Sequence, residues 1–250
     1  MDPRLVLVDE RFKDIKRLVV VNAGKGGVGK SMVASTTALT LAEMGYKVGL
    51  LDLDFSGPST HVILGIQDVY PVEEKGIIPP KAGGIDFMSI IYYAGNDPAP
   101  LRGPDISNAM IELFAITRWG PLDFLIVDTP PGIGDTILDT IRLLKKAEFL
   151  VVATPSKVAL ETVDKTLRIL KEVKAPVIGI IENMKMSDSA SVRQRAEMYN
   201  VPFLGEIGFD TNLEESLGDK DKLLNTDFVS SLRNIITGIP GFTPPMPDSQ

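Results

Sequence analysis

Two rhythms of apolar residues alternate along this chain. Short continuous apolar runs recur at Leu18 to Val21, Lys47 to Leu51, Leu122 to Val127, Phe149 to Ala153 and Pro176 to Ile181, a pattern of parallel strands covered on both faces. Between them the spacing is helical: Met32 to Met44, then Ile106, Met110 and Leu113, then Ile137, Ile141 and Leu144. Val158 to Val173 puts Val163, Leu167 and Leu170 on one face and Lys165, Arg168 and Lys171 on the other. Further strands are expected near Asp86 to Ile91 and Val201 to Leu204, and a helix at Arg193 to Tyr199. Strand and helix taking turns in this way predict an α/β fold, a doubly wound, mostly parallel sheet with helices on both faces. We expect an N-terminal extension over residues 1–17, one domain over 18–237 and a disordered, Pro-rich tail over 238–250. Residues 60–85, which hold three prolines and four glycines, read as an irregular excursion with room for a short hairpin.

The junction of the first strand and first helix carries the chemistry. Gly24-Lys25-Gly26-Gly27-Val28-Gly29-Lys30-Ser31 has the spacing of a phosphate-binding loop, a glycine, four residues, then Gly-Lys-Ser. A strand, a tight loop and a helix in that order aim a row of backbone N–H groups and a helix N-terminus at one anion. Glycines keep side chains out of that cradle. Lys30 would reach the β- and γ-phosphates, the Ser31 hydroxyl would bind magnesium, and Met32 completes the nucleotide-contacting set.

Three later stretches belong beside this loop. Asp52 and Asp54 close the second strand, where ligands bind in open α/β sheets, and at a spacing of two they would point the same way, toward the metal and the attacking water. Asp128 ends the strand Leu122 to Val127, the usual place for a carboxylate that holds magnesium. Gly132 and Asp135 follow in a segment expected to sense the γ-phosphate. Asn183, at another strand end, would pair its amide with the N6 and N7 edge of adenine, and the loop Gly205 to Asp210 would lie along the base. A guanine reader would need Lys after that Asn and Asp three positions on, but Met184 and Met186 stand there, so ATP is favoured over GTP.

Composition narrows the class. The 26 basic residues against 33 acidic, a net charge of −7, argue against a broad nucleic-acid or anionic-membrane surface. There is no cysteine, so the chain has no thiolate for a disulfide, a zinc site or an iron–sulfur cluster. His61 is the only histidine and has no companion ligand. The start lacks the pattern of a signal peptide and no apolar run approaches the ~20 residues of a membrane span, so the expected place is the cytoplasm.

Lys25, directly after the first glycine, makes the loop resemble the "deviant" Walker loop of the MinD/ParA group of P-loop ATPases. With Asp52-Leu53-Asp54-Phe55-Ser56-Gly57-Pro58-Ser59, Arg102-Gly103-Pro104, Leu122 to Asp135, Gly179 to Met184 and Val201 to Ile207, the chain resembles the Mrp branch of that group. That branch includes the bacterial ApbC proteins and the cytosolic iron–sulfur scaffold ATPases. The resemblance implies a homodimer with ATP at its interface, Lys25 acting across it, Lys30 on the phosphates, Ser31 and Asp128 at magnesium, Asp54 near the attacking water and Asn183 on adenine. It also implies a Cys-x-x-Cys pair after Asn183-Met184. This chain runs Lys185-Met186-Ser187-Asp188-Ser189-Ala190-Ser191 instead, which argues against a bridging iron–sulfur cluster. The expected function is therefore a slow, Mg-ATP-dependent dimeric switch with an unknown protein client. The alternatives are an iron–sulfur assembly or delivery factor working with a partner, a MinD/ParA-like positioning ATPase and, last, a small-molecule kinase.

Overall fold

The computed structural model describes residues 2–94, 103–132, 134–187 and 190–242. Helix α1 (Arg4–Phe12) leads into β1 (Ile15–Asn22), α2 (Lys30–Glu43) and β2 (Val48–Asp52). The excursion that follows holds α3 (Thr60–Leu64), a hairpin of β3 (Val72–Glu73) and β4 (Ile77–Ile78), then β5 (Lys81–Ala82), β6 (Ile85–Ser89) and α4 (Ile91–Ala94). After α5 (Gly103–Ile116) come β7 (Leu122–Asp128), α6 (Asp135–Leu143), β8 (Ala147–Ala153), α7 (Lys157–Glu172), β9 (Val177–Lys185), α8 (Ser191–Tyr199) and β10 (Phe203–Gly208). Helices α9 (Lys220–Leu224) and α10 (Asp227–Thr237) follow.

Eight strands form one sheet in the order β10-β9-β8-β1-β7-β2-β6-β5, parallel throughout except for β5 against β6. The continuous apolar runs are explained by two cores, one on each face. Along β1, Leu18 and Val20 enter one core while Val19 and Val21 enter the other; Leu125 and Val127 of β7 divide from Phe124 and Ile126 in the same way. Strands β7 and β8 flank β1 on opposite sides, so the loop leaving β1 opens at a point where later strands part, the usual crevice for a ligand in such sheets.

The structure differs from expectation at several boundaries. The first strand begins at Ile15 rather than Leu18, and the segment before it is a helix: Val8 and Phe12 are buried, and the Phe12 ring meets Phe114 of α5 edge-on at 5.3 Å. Its short apolar patch thus fills the groove beside α5, with Lys145 reaching Asp9. Helix α5 starts at Gly103, three residues before the first apolar position of the helical spacing, and Asp105 lies in its first turn. The expected tail is packed as far as Phe242: Ile239 and Phe242 are buried, and the Arg17 guanidinium lies 4.5 Å from the Phe242 ring centre. The remainder, 243–250, lies outside the described residues, as do Arg102 and Leu101. Among the described residues no helix is long and apolar enough to cross a membrane.

Candidate functional site

The loop from Gly24 to Ser31 joins the end of β1 to the start of α2, with Lys30 as the first helical residue. Gly29 has φ +80°, a left-handed backbone that a side chain would strain, and it forms the N-cap without a side-chain bond. Gly24 is required for a different reason. A Cβ there would stand 2.6 Å from the backbone carbonyl carbon of Thr162, so α7 rests directly on the loop. The glycines therefore clear space for a neighbouring helix as well as for an anion.

Lys30, Asp128 and Asp52 meet below the loop. Lys30 Nζ lies 2.5 Å from Asp128 Oδ1 and 3.2 Å from Ser31 Oγ. Asp128 and Asp52 are register partners on adjacent strands, and neither is exposed. Burial pushes the Asp128 carboxyl up to about 6; Lys30 pulls it down and neighbouring Asp52 adds to the rise. Asp128 Oδ2 is buried and has no partner among the described residues. Asp52 is also raised by burial, opposed first by the Thr60 hydroxyl.

The two carboxylates at the end of the second strand accept from different groups. The strand ends at Asp52, and fully buried Leu53 turns the chain beneath the surface. Asp52 Oδ1 accepts from the Asp54 N–H at 3.0 Å, and its Oδ2 accepts from the N–H groups of Ser59 and Thr60 at 3.2 Å and from the Thr60 hydroxyl at 2.7 Å. It anchors the following loop. Half-buried Asp54 accepts from the N–H groups of Ser56 and Gly57 at 3.2 and 3.1 Å, folding that loop around itself. Lys25 is half-buried and forms no ion pair among the described residues.

On the other side of the loop lies a cavity of about 360 Å³, walled by Gly29, Met32, Met184, Phe209, Leu213 and Phe228. Asn183 lines it too, and its Nδ2 donates to the Val28 carbonyl at 2.9 Å while its Oδ1 stays buried and unpartnered. One of the two N–H donors of the amide is thus held by the loop. Asp210, Thr211 and Glu214 add polar groups to the cavity wall. Gly205 to Gly208 belong to β10 rather than to a loop, and the chain leaves the sheet only at Phe209 and Asp210 to wall the cavity.

Some participants gave little sign in the sequence. Asn22 is a polar residue closing an apolar strand, a visible irregularity, and its Nδ2 donates to the Gly132 carbonyl at 3.2 Å. Thr60 and Ser59, which hold Asp52, gave no signal beyond following it. Glu182 is fully buried beside Asn183, and burial raises its carboxyl.

The geometry joins a glycine-bounded loop, a buried cation–carboxylate pair and a cavity of mixed apolar and polar lining beside Asn183. Several known proteins resemble the chain as a whole. A ParA family model described as NUBPL iron-transfer P-loop NTPase matches residues 14–239. An iron-sulfur cluster carrier protein of Aquifex aeolicus is 37% identical over 82% of this chain, which spans 61% of that relative's length. The cytosolic Fe-S cluster assembly factor CFD1 of Kluyveromyces lactis is 35% identical, with 95% of this chain and 96% of its own length covered. Among solved structures, a nucleotide-binding protein from Archaeoglobus fulgidus in complex with ADP superposes with a TM-score of 0.75 at 30% identity, over 88% of this chain and 93% of its own. The septum site-determining protein MinD of Pyrococcus horikoshii, at 19% identity and a TM-score of 0.65 over 88% of this chain and 93% of its own, shares the fold.

Proposed function

Since the chain belongs to the ParA family of P-loop NTPases, in its NUBPL iron-transfer group, we propose that it is a Mg-ATP-dependent dimeric switch that hydrolyses ATP slowly. The observation that carries this reading is Asn183, which ties the phosphate loop to the adjoining cavity and keeps its Oδ1 buried and without a partner among the described residues. An acceptor there suits the N6 amino group of adenine and repels the O6 carbonyl of guanine, both of whose lone pairs would face it. At the other end, Asp128 Oδ2 and the Ser31 hydroxyl fit a magnesium ion, which when bound would neutralise charge on the β- and γ-phosphates. Asp52, its oxygens engaged by the loop, is left to hold the wall behind them.

In the reaction, water adds to the γ-phosphorus as the bond to the β-phosphate oxygen breaks, giving ADP and phosphate. Lys30 leaves Asp128 for the phosphates, and Asp54 orients the water from its loop. Lys25 is assigned to the partner copy's nucleotide, where a cation supplied across an interface contributes on the order of a thousandfold or more. Titration calorimetry tests the assignment: Mg-ATP should give heat at one site per chain and Mg-GTP much less. Absence of any heat with Mg-ATP would end this reading.

A second reading, delivery of iron–sulfur clusters in the cytoplasm, is favoured by the relatives' names. Without cysteine the chain would need a protein client to supply the thiolates. Anaerobic reconstitution with iron and sulfide, alone and with candidate clients, separates the cases. A stoichiometric chromophore on the isolated chain would contradict the client requirement.

A further inference from the structure

The segment after β7 is stitched to the root of the phosphate loop at several points. The Thr129 hydroxyl donates to the Val21 carbonyl at 2.9 Å, and the Gly132 N–H donates to the Ala23 carbonyl at 2.8 Å. Pro131 lies above Gly26, close enough that a Cβ on that glycine would stand 3.8 Å from Cγ. One side chain completes the seam. Asn22 Nδ2 donates to the Gly132 carbonyl at 3.2 Å and lies 3.4 Å from Thr129 Oγ1.

This amide is poorly repaid as a folding contact. Asn22 is fully buried, its bond to Gly132 is long, and its Oδ1 has no partner among the described residues. A modest bond gained and a buried acceptor left bare roughly cancel. What the amide does fix is Gly132, whose φ of +95° gives it a backbone freedom that other residues lack and therefore a carbonyl easily swung away.

We propose that Asn22 is a positioning residue for hydrolysis: it latches the Gly132 carbonyl so that residues 129–132 stay in register with the phosphate loop when a γ-phosphate is bound. The inference rests on reading the chain as a Mg-ATP hydrolase. The latch acts only on the segment beside the terminal phosphate, so ground-state binding of the nucleotide does not depend on it. Losing it misplaces groups needed in the transition state.

Steady-state kinetics of Asn22→Ala test this. The expected result is a kcat lowered about ten- to a hundredfold, with KM for Mg-ATP and affinity for Mg-ADP within about twofold of wild type. An unchanged kcat, or kcat and Mg-ADP affinity falling together, overturns it. Asn22→Asp keeps the shape and has a donor only while its carboxyl is protonated, so its activity relative to wild type should recover as pH is lowered. A flat ratio also overturns the latch, and this variant decides the matter if Asn22→Ala does not fold. If wild type itself neither binds nor hydrolyses Mg-ATP, the functional reading has failed. The latch is then decided by amide hydrogen exchange in nucleotide-free protein, where Asn22→Ala should speed exchange at Gly132 and an unchanged rate counts against it.

Discussion

The phosphate side of the site is closed on itself, with Lys30 held against Asp128 and Asp52 bonded to four donors of the following loop, whereas the base side holds a ready cavity and an unused acceptor on Asn183. The first must give up an ion pair before it can receive charge; the second needs only to be filled. On the proposed function, the base slot is preorganised and the cost of reorganisation falls at the phosphates.

The contrast breaks most completely at Lys30. Lys30→Ala should lower turnover by on the order of a thousandfold or more and abolish calorimetric Mg-ATP binding. It also strands a buried carboxylate, a change that costs about 3–5 kcal/mol for a typical buried pair. The double variant Lys30→Ala/Asp128→Asn should recover most of the lost melting temperature but none of the binding. If the single variant melts like wild type, the pair does not hold the empty site closed.

Lys25→Ala probes the same side without touching that pair. Mg-ATP should still bind, while turnover drops about a thousandfold. In wild type, specific activity should fall on dilution; activity per chain that stays constant over a wide dilution series would remove the across-interface role.

A smaller effect is expected on the base side. Asn183→Ala deletes the acceptor, so preference for ATP over GTP, measured as a ratio of dissociation constants, should shrink by about ten- to a hundredfold. Equal loss for both nucleotides would mean that Asn183 only supports the Val28 carbonyl.

The mildest prediction concerns pH. Asp128 is held at about 6 by burial in the folded protein, against about 3.9 in an unfolded chain. Between those values the folded state holds a proton that the unfolded state has lost, so stability from this group is fully present below about 4 and disappears as pH rises through about 6. Nucleotide-free wild type should lose a few degrees of melting temperature relative to Asp128→Asn over that window, and no more above it. A difference that does not change with pH would mean that the carboxyl titrates normally.

Much of this was legible beforehand because it depends on spacing along the chain. The loop of glycines and lysine, Asp128 at a strand end and the alternation of strands with helices all follow from local order, and the residues meet as the spacing requires. What was not legible depends on direction. Asp52 and Asp54 have the separation of neighbours on one face of a strand, but the strand stops at the first of them and Leu53 is drawn inward. Asn183 stood out as a polar residue at a strand end, yet nothing in the sequence said that the Val28 carbonyl would take one of its N–H groups. The packing of α1 on α5, and of Ile239 and Phe242 under the sheet, joins segments distant in sequence, so composition alone suggested an extension and a disordered tail.

The bare Cα of Gly24 against the backbone of Thr162 also has a mechanical meaning. With no side chain between them there is nothing soft to absorb a displacement, and close-packed interiors transmit strain. A loop that tightens around its ligand would push a sixteen-residue rod whose opposite side, at Lys171, faces the solvent. A fluorophore on that outer side would report occupancy without standing in the way of the ligand.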